Sequence, residues 1–186
     1  MNNIIKIMLP ALLLSFHLQA EIPKEIKAPN LLKHSMSEIQ FNKAKLATVV
    51  VFLSSSCPCS NSHIEHIKAL KTEFPQIDFV AVHSNVNEET KESEDYFFKI
   101  NLPFEVLQDD KAQIADLLQA NKTPHAFLIS KEGTLLYEGG VTNSAHGEAK
   151  ASKLFLKTAL TEFTSGKEIS MKEGRTLGCA ISRVKF

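Results

Sequence analysis

The sequence predicts an α/β fold, a mixed central sheet with helices on both faces, and three observations carry that expectation. Residues 47–54 (ATVVVFLS) and 78–83 (DFVAVH) are continuous apolar runs rich in β-branched side chains, as strands buried on both faces require. Helical periodicity follows each of them after a short connection. Residues 125–130 (HAFLIS) and 134–138 (TLLYE) flank Lys131-Glu132-Gly133, a hairpin connection that adds antiparallel pairing to the parallel part.

The elements follow in order. Residues 58–74 read as one helix, with Ile64, Ile67, Leu70 and Phe74 three or four apart and Pro75 just beyond the end. Residues 87–100 read as an amphipathic helix, acidic in its first turns, where the positive end of the dipole favours carboxylates. A short strand at 105–107 and a helical stretch at 112–119 come next, and residues 149–163 form a closing helix. Residues 21–45 have weak periodicity, consistent with an edge strand plus loop, and residues 166–186 have none and read as a tail.

Residues 1–20 have the order of a secretory signal: one charge at Lys6, an apolar run from Ile7 to Leu18, and the small Ala20 before Glu21. The run is shorter than the roughly 20 residues a membrane span needs. The expected layout is therefore a signal peptide at 1–20, one domain at 21–165 and a tail at 166–186. The expected location is across the inner membrane, in the periplasm, with no stable membrane insertion once the signal is removed. The full chain carries 21 basic and 21 acidic residues, and losing Lys6 leaves the mature chain at −1, which offers nothing for nucleic acid. Three cysteines in an exported chain cannot all be paired, so at least one thiol is free or exchanged.

Ser54-Ser55-Ser56-Cys57-Pro58-Cys59-Ser60 falls where a buried strand ends and a helix begins. A cysteine there meets unpaired backbone N–H groups and the positive end of the helix dipole, both of which favour thiolate. Pro58 suits the first helical position, where its missing N–H costs nothing. Cys57 is the candidate nucleophile. Cys59, two positions on, is expected to point to nearly the opposite side, so a Cys57–Cys59 disulfide requires a distorted first turn. Thr123-Pro124 directly before a strand is a second signal, because a proline can enter a sheet only at its first residue or at a special turn.

The run FLSSSCPCSNSHIEHI resembles the redoxin branch of the thioredoxin-like superfamily, the alkyl hydroperoxide reductase/thiol-specific antioxidant-like proteins, many of which carry Cys-Pro-x-Ser-Asn after the first core strand. Here that motif is Cys57, Pro58, Cys59, Ser60 and Asn61. Residues 102–140 are similar to the same branch, and Gly178, Cys179 and Ile181 resemble its Gly-Cys-x-Ile ending. The resemblance implies a thioredoxin-like fold in which Pro124 is cis and faces Cys57, with Pro58, Thr123 and Pro124 at the substrate. Two departures limit it. Peroxiredoxins proper have proline seven residues before the reactive cysteine, where this chain has Val50; thioredoxins proper have tryptophan before it and a second cysteine three residues after it, where this chain has Ser56 and Ser60.

The first functional reading is thiol–disulfide exchange by Cys57, with Cys179 or Cys59 resolving the intermediate, and with protein thiols and disulfides as partners. A thiol peroxidase that reduces small hydroperoxides is the second reading. The third is a copper carrier: the chain also resembles a related group of thioredoxin-fold copper carriers that use two cysteines three residues apart with a distant histidine, which here implies Cys57 and Cys59, with one residue between them, and His83, His125 or His146. His63 and His66 read as histidines on a solvated helix. No cofactor and no metal are expected in the first reading.

Overall fold

The computed structural model describes residues 22–184. The expected signal segment, 1–20, lies outside the described residues. A six-stranded sheet runs in the order β5-β4-β3-β7-β8-β9, built from β3 (Ala47–Phe52), β4 (Ile77–His83), β5 (Glu105–Gln108), β7 (His125–Ser130), β8 (Leu135–Gly139) and β9 (Glu173–Gly174). β3, β4 and β5 are parallel, β7 is antiparallel to both β3 and β8, and β9 is parallel to β8. The sheet is mixed, as expected.

Alternation along the central strands divides the core into two layers. Val49, Val51, Ala126 and Leu128 face one side, where they meet Ile64, Ile67 and Leu70 of α2 (Ile64–Glu73), Phe97 of α3 (Thr90–Ile100) and Leu156 and Leu160 of α5 (Phe155–Thr164). Val50, Phe52, Phe127 and Ile129 face the other, against Ile114 and Ala115 of α4 (Gln113–Leu117), Ile26 and Ala28 of β1 (Glu25–Pro29), and Ile181 of the tail. Truncating a fully buried residue such as Ile67 to alanine costs about 2–5 kcal/mol.

The helix expected at 58–74 is two helices. α1 (Pro58–Asn61) is a single turn, and α2 starts at Ile64. Ser62 Oγ and His63 Nδ1 both bond the Cys59 carbonyl, at 2.9 and 2.7 Å, which draws that oxygen away from helical pairing. α3 begins at Thr90 instead of 87, because Glu88 turns inward. α5 begins at Phe155 instead of 149: the Asn143 Oδ1 accepts the N–H groups of Ser152 and Lys153 at 3.0 Å, and its N–H bonds the Lys153 carbonyl, holding that stretch extended.

The N-terminal region is an antiparallel hairpin of β1 and β2 (Met36–Gln40), tied to the β5 edge where Leu31 N–H donates to the Val106 carbonyl at 2.8 Å. The tail is more ordered than its sequence suggests. After β9 it forms β10 (Cys179–Ala180), antiparallel to β6 (Lys122–Thr123), with Cys179 opposite Thr123. Ile169 and Ile181 are buried. At the β8–β9 crossing a Cβ on Gly139, whose φ is +146°, would lie 2.3 Å from the Gly174 carbonyl, so the tail backbone approaches as closely as glycine allows. No helix among the described residues is long and apolar enough to cross a membrane.

Candidate active site

Cys57 occupies the N-cap of α1 in extended backbone, φ −83° and ψ 115°, with Pro58 next. Two serines shape this turn. Cys57 N–H donates to Ser54 Oγ at 3.0 Å, and Ser54 N–H donates to Ser60 Oγ at 3.2 Å. The thiol donates to the Thr123 carbonyl at 3.2 Å, across a Thr123–Pro124 peptide bond that is cis, as the resemblance implies. With Cys179 seated on Thr123, only 2 % of Cys57 is exposed.

The sulfurs of Cys57, Cys59 and Cys179 lie within 4.8 Å of one another. The expectation that Cys57 and Cys59 point to nearly opposite sides fails, because Cys57 stands outside the helix and its extended backbone turns the side chain toward its neighbour. Cys59 and Cys179 are half-buried.

The electrostatics rest on hydrogen bonds, the unpaired N–H groups of the expectation among them, more than on a helix dipole. A one-turn helix carries little dipole. Burial pushes the Cys57 thiol up, but hydrogen bonds from the side chains of Cys179 and Thr123 and from the N–H groups of Ser60 and Cys179 outweigh it and hold the group at about 7. The Ser60 N–H is one of the unpaired donors that the sequence predicts at this helix start. Burial and the proton shared with Cys57 raise Cys179, to about 12. Burial and the neighbouring Cys57 raise Cys59 as well. One thiolate, with its proton held by its neighbours, is the arrangement a nucleophile needs. The buried Thr123 hydroxyl has no hydrogen-bond partner in the thiol form, and donation to a Cys57 thiolate satisfies it.

Sequence reasoning missed Glu88. Its side chain is 8 % exposed and accepts from Ser54 Oγ, Ser55 Oγ, the N–H groups of Ser55 and Ser56 at 2.9 and 3.3 Å, and His83 Nε2 at 3.1 Å. Burial pushes this carboxyl up, yet His83, Ser54 and Ser55 hold it far below the usual carboxylate range. Through Ser54 Oγ, Glu88 reaches the Cys57 N–H. The sequence marks it only as an acid near a helix start.

His63 and His66 are buried, not solvated. His63 bridges the Cys59 carbonyl and Thr142 Oγ1, the latter at 2.9 Å, and His66 Nδ1 pairs with Glu148 at 2.9 Å. Burial lowers both rings. His125 packs on Phe127 with ring centroids 4.4 Å apart, and burial with nearby Lys122 pushes it down to about 4. Neither these histidines nor His83 or His146 joins the sulfurs. Among the described residues, the three cysteines alone form a group of three or more histidine, cysteine or acidic ligand atoms close enough to hold a metal.

This architecture is the thioredoxin-like fold. The chain resembles an uncharacterized conserved protein from Geobacillus kaustophilus at 20 % identity and a TM-score of 0.79, covering 89 % of this chain and 92 % of that one. A putative thiol:disulfide interchange protein DsbE from Chlorobium tepidum matches at 20 % identity and a TM-score of 0.58, over 78 % and 94 % of the two chains. A secreted Mycobacterium tuberculosis disulfide oxidoreductase homologous to E. coli DsbE matches at 17 % identity and a TM-score of 0.55, over 73 % and 94 %. No curated protein matches the sequence. A family model described as a domain of unknown function, DUF6436, matches residues 28–182.

Proposed function

The chain belongs to the DUF6436 family, and we propose that it is an exported thiol–disulfide oxidoreductase in which Cys57 attacks and Cys179 resolves. The observation that carries this reading is the pairing of Cys179 with Thr123 directly over Cys57, with the sulfurs within 4.8 Å. Export is supported by the signal-like segment at 1–20, removed to leave a domain from 21 and the tail from 166, and by the secreted relative. The Cys-Pro-x-Ser-Asn and Gly-Cys-x-Ile motifs are the two halves of this site.

The Cys57 thiolate attacks one sulfur of a substrate disulfide, forming a Cys57–substrate bond and breaking the substrate S–S bond. The departing thiolate takes the proton held by Cys179. The Cys179 thiolate then attacks Cys57 Sγ, forming the Cys57–Cys179 disulfide and releasing the second substrate thiolate to solvent protonation. Two protein thiols are oxidised and one substrate disulfide is reduced to two thiols, and the reverse sequence oxidises a dithiol. Thr123 and Pro124 form the surface on which an extended substrate lies, Pro58 fixes the turn, and the β10 strand lifts to admit the substrate. Protein thiols and disulfides are therefore the partners.

The test is reduction of a disulfide-bonded protein such as insulin, with hydrogen peroxide as a parallel oxidant. Turnover with the disulfide that is lost in Cys57→Ala supports exchange. Rapid peroxide consumption by Cys57 with no disulfide turnover overturns it in favour of a peroxidase.

A further inference from the structure

Dithiol exchange by Cys57 and Cys179 leaves a third sulfur unused. Cys59 lies within 4.8 Å of both, and its turn is fixed by His63 Nδ1 on its carbonyl. We propose that in the reduced protein Cys57, Cys59 and Cys179 together bind a single Cu(I) ion in a three-sulfur site.

The donor set selects the ion. Thiolates are soft ligands that favour Cu(I), Zn or iron–sulfur clusters. Structural zinc sites take four ligands, and no histidine or carboxylate among the described residues completes a fourth. Three sulfurs at a metal–sulfur bond of about 2.3 Å stand about 4.0 Å apart in a trigonal plane. A group already within 4.8 Å reaches that spacing by small side-chain rotations. Each sulfur is also held by a separate backbone anchor: Cys57 through Ser54 Oγ, Cys59 in the α1 turn under His63, and Cys179 on the Thr123 strand. Cys57 forms the buried wall, and the half-buried Cys59 and Cys179 face the side from which an ion enters.

The histidine-containing set considered from sequence is thus replaced by a sulfur-only set whose third ligand comes from the tail. Oxidation disassembles it. When a disulfide oxidant takes two electrons from Cys57 and Cys179, two of the three ligands become one S–S bond and the copper leaves as Cu(I), unchanged in oxidation state. The reduced protein holds the ion and the oxidised protein does not.

The experiment is anaerobic titration of the reduced protein against Cu(I) held by bicinchoninate, with X-ray absorption on the product. The expected result is one equivalent of copper per chain, a first shell of three sulfurs, and protection of all three cysteines from alkylation. Cys59→Ser and Cys179→Ser, each checked for folding by circular dichroism, should each weaken binding at least about tenfold, and the oxidised protein should take up none. Failure to withdraw copper from the chelator, nitrogen in the first shell, continued alkylation of Cys59 in the copper-loaded wild type, or unchanged affinity in Cys59→Ser would overturn the site.

Discussion

Cys57 sits in a turn enclosed by the core, with its N–H on Ser54, its sulfur on Thr123, and the buried Glu88 accepting five donors from the residues around it. Cys179 sits on a two-residue strand paired with β6 and followed by a stretch that is itself anchored: Ile181 is buried with its N–H on the Asn121 carbonyl at 3.0 Å, Ser182 N–H donates to Asn85 Oδ1 at 2.8 Å, Val86 N–H donates to the Ser182 carbonyl at 3.3 Å, and Arg183 pairs with Asp116 at 2.6 Å. The first region is buried, whereas the second is a two-residue strand at the surface, with Cys179 half-buried and Ala180 exposed. The proposed exchange needs that asymmetry, because a nucleophile at Cys57 must keep its geometry while Cys179 moves aside for the substrate and returns.

The largest expected effect is at Cys57. Cys57→Ala should lower disulfide turnover at least about a thousandfold. Cys179→Ala should leave the first attack intact and accumulate the mixed disulfide, read by intact-mass analysis of stopped reactions. Equal loss of the first step in both variants would mean that the two cysteines do not play separate roles.

Glu88→Gln tests what fixes the turn. Replacing a buried charged acceptor should cost about 1–3 kcal/mol in urea unfolding at neutral pH. The sign of the pH dependence follows from the depressed pKa. Stabilisation from Glu88 is complete above the unfolded glutamate value of about 4.3 and is lost as pH falls toward the folded value. Wild type and variant should therefore converge in acid; a gap that stays constant with pH would remove the charge from the explanation.

Gly178→Ala tests the tail. A Cβ there would lie 2.0 Å from the Thr123 carbonyl, a backbone atom that cannot swing away, so the β10 strand must lift. Alkylation of the otherwise buried Cys57 at fixed pH should accelerate roughly tenfold, an order-of-magnitude expectation for opening a local contact worth about 1.4 kcal/mol. An unchanged rate would show that the strand does not limit access.

The smallest effect is on acidity. The midpoint of Cys57 alkylation should lie near 7 in the wild type and rise toward the free-cysteine value of about 8.5 in Cys179→Ala, because that variant removes the Cys179 thiol that helps to hold the thiolate. A midpoint that does not move would assign the thiolate to the Thr123 hydroxyl and the N–H groups of Ser60 and residue 179.

The turn was legible in the sequence because its signals are local: a β-branched run, serines, and Cys-Pro at a helix start. The central strands were legible for the same reason. Glu88 was not, since its partners Ser54, Ser55 and Ser56 lie more than thirty positions away and a single acid carries no pattern. The break at Ser62 and His63 depends on hydrogen bonds to one carbonyl, which helical periodicity does not register. Two-residue strands such as β9 and β10 are too short to alternate, so the tail showed only its motif, Gly178-Cys179, and not its path along β8 and β6. The burial of His63 and His66 follows from how the loop carrying Thr142 and Glu148 packs over α2, again a long-range effect.

Peptide mapping of the oxidised protein reads out which cysteine Cys57 pairs with. Two cysteines bridge when their Cα atoms come within about 7 Å, and the β10 strand brings Cys179 over Cys57. Digestion under non-reducing, thiol-blocked conditions should yield a peptide pair linking Cys57 to Cys179, with Cys59 recovered as the alkylated thiol. Recovery of a Cys57–Cys59 bridge alone, with Cys179 alkylated, would rule out Cys179 as the resolving thiol and confine the chemistry to the first turn of α1.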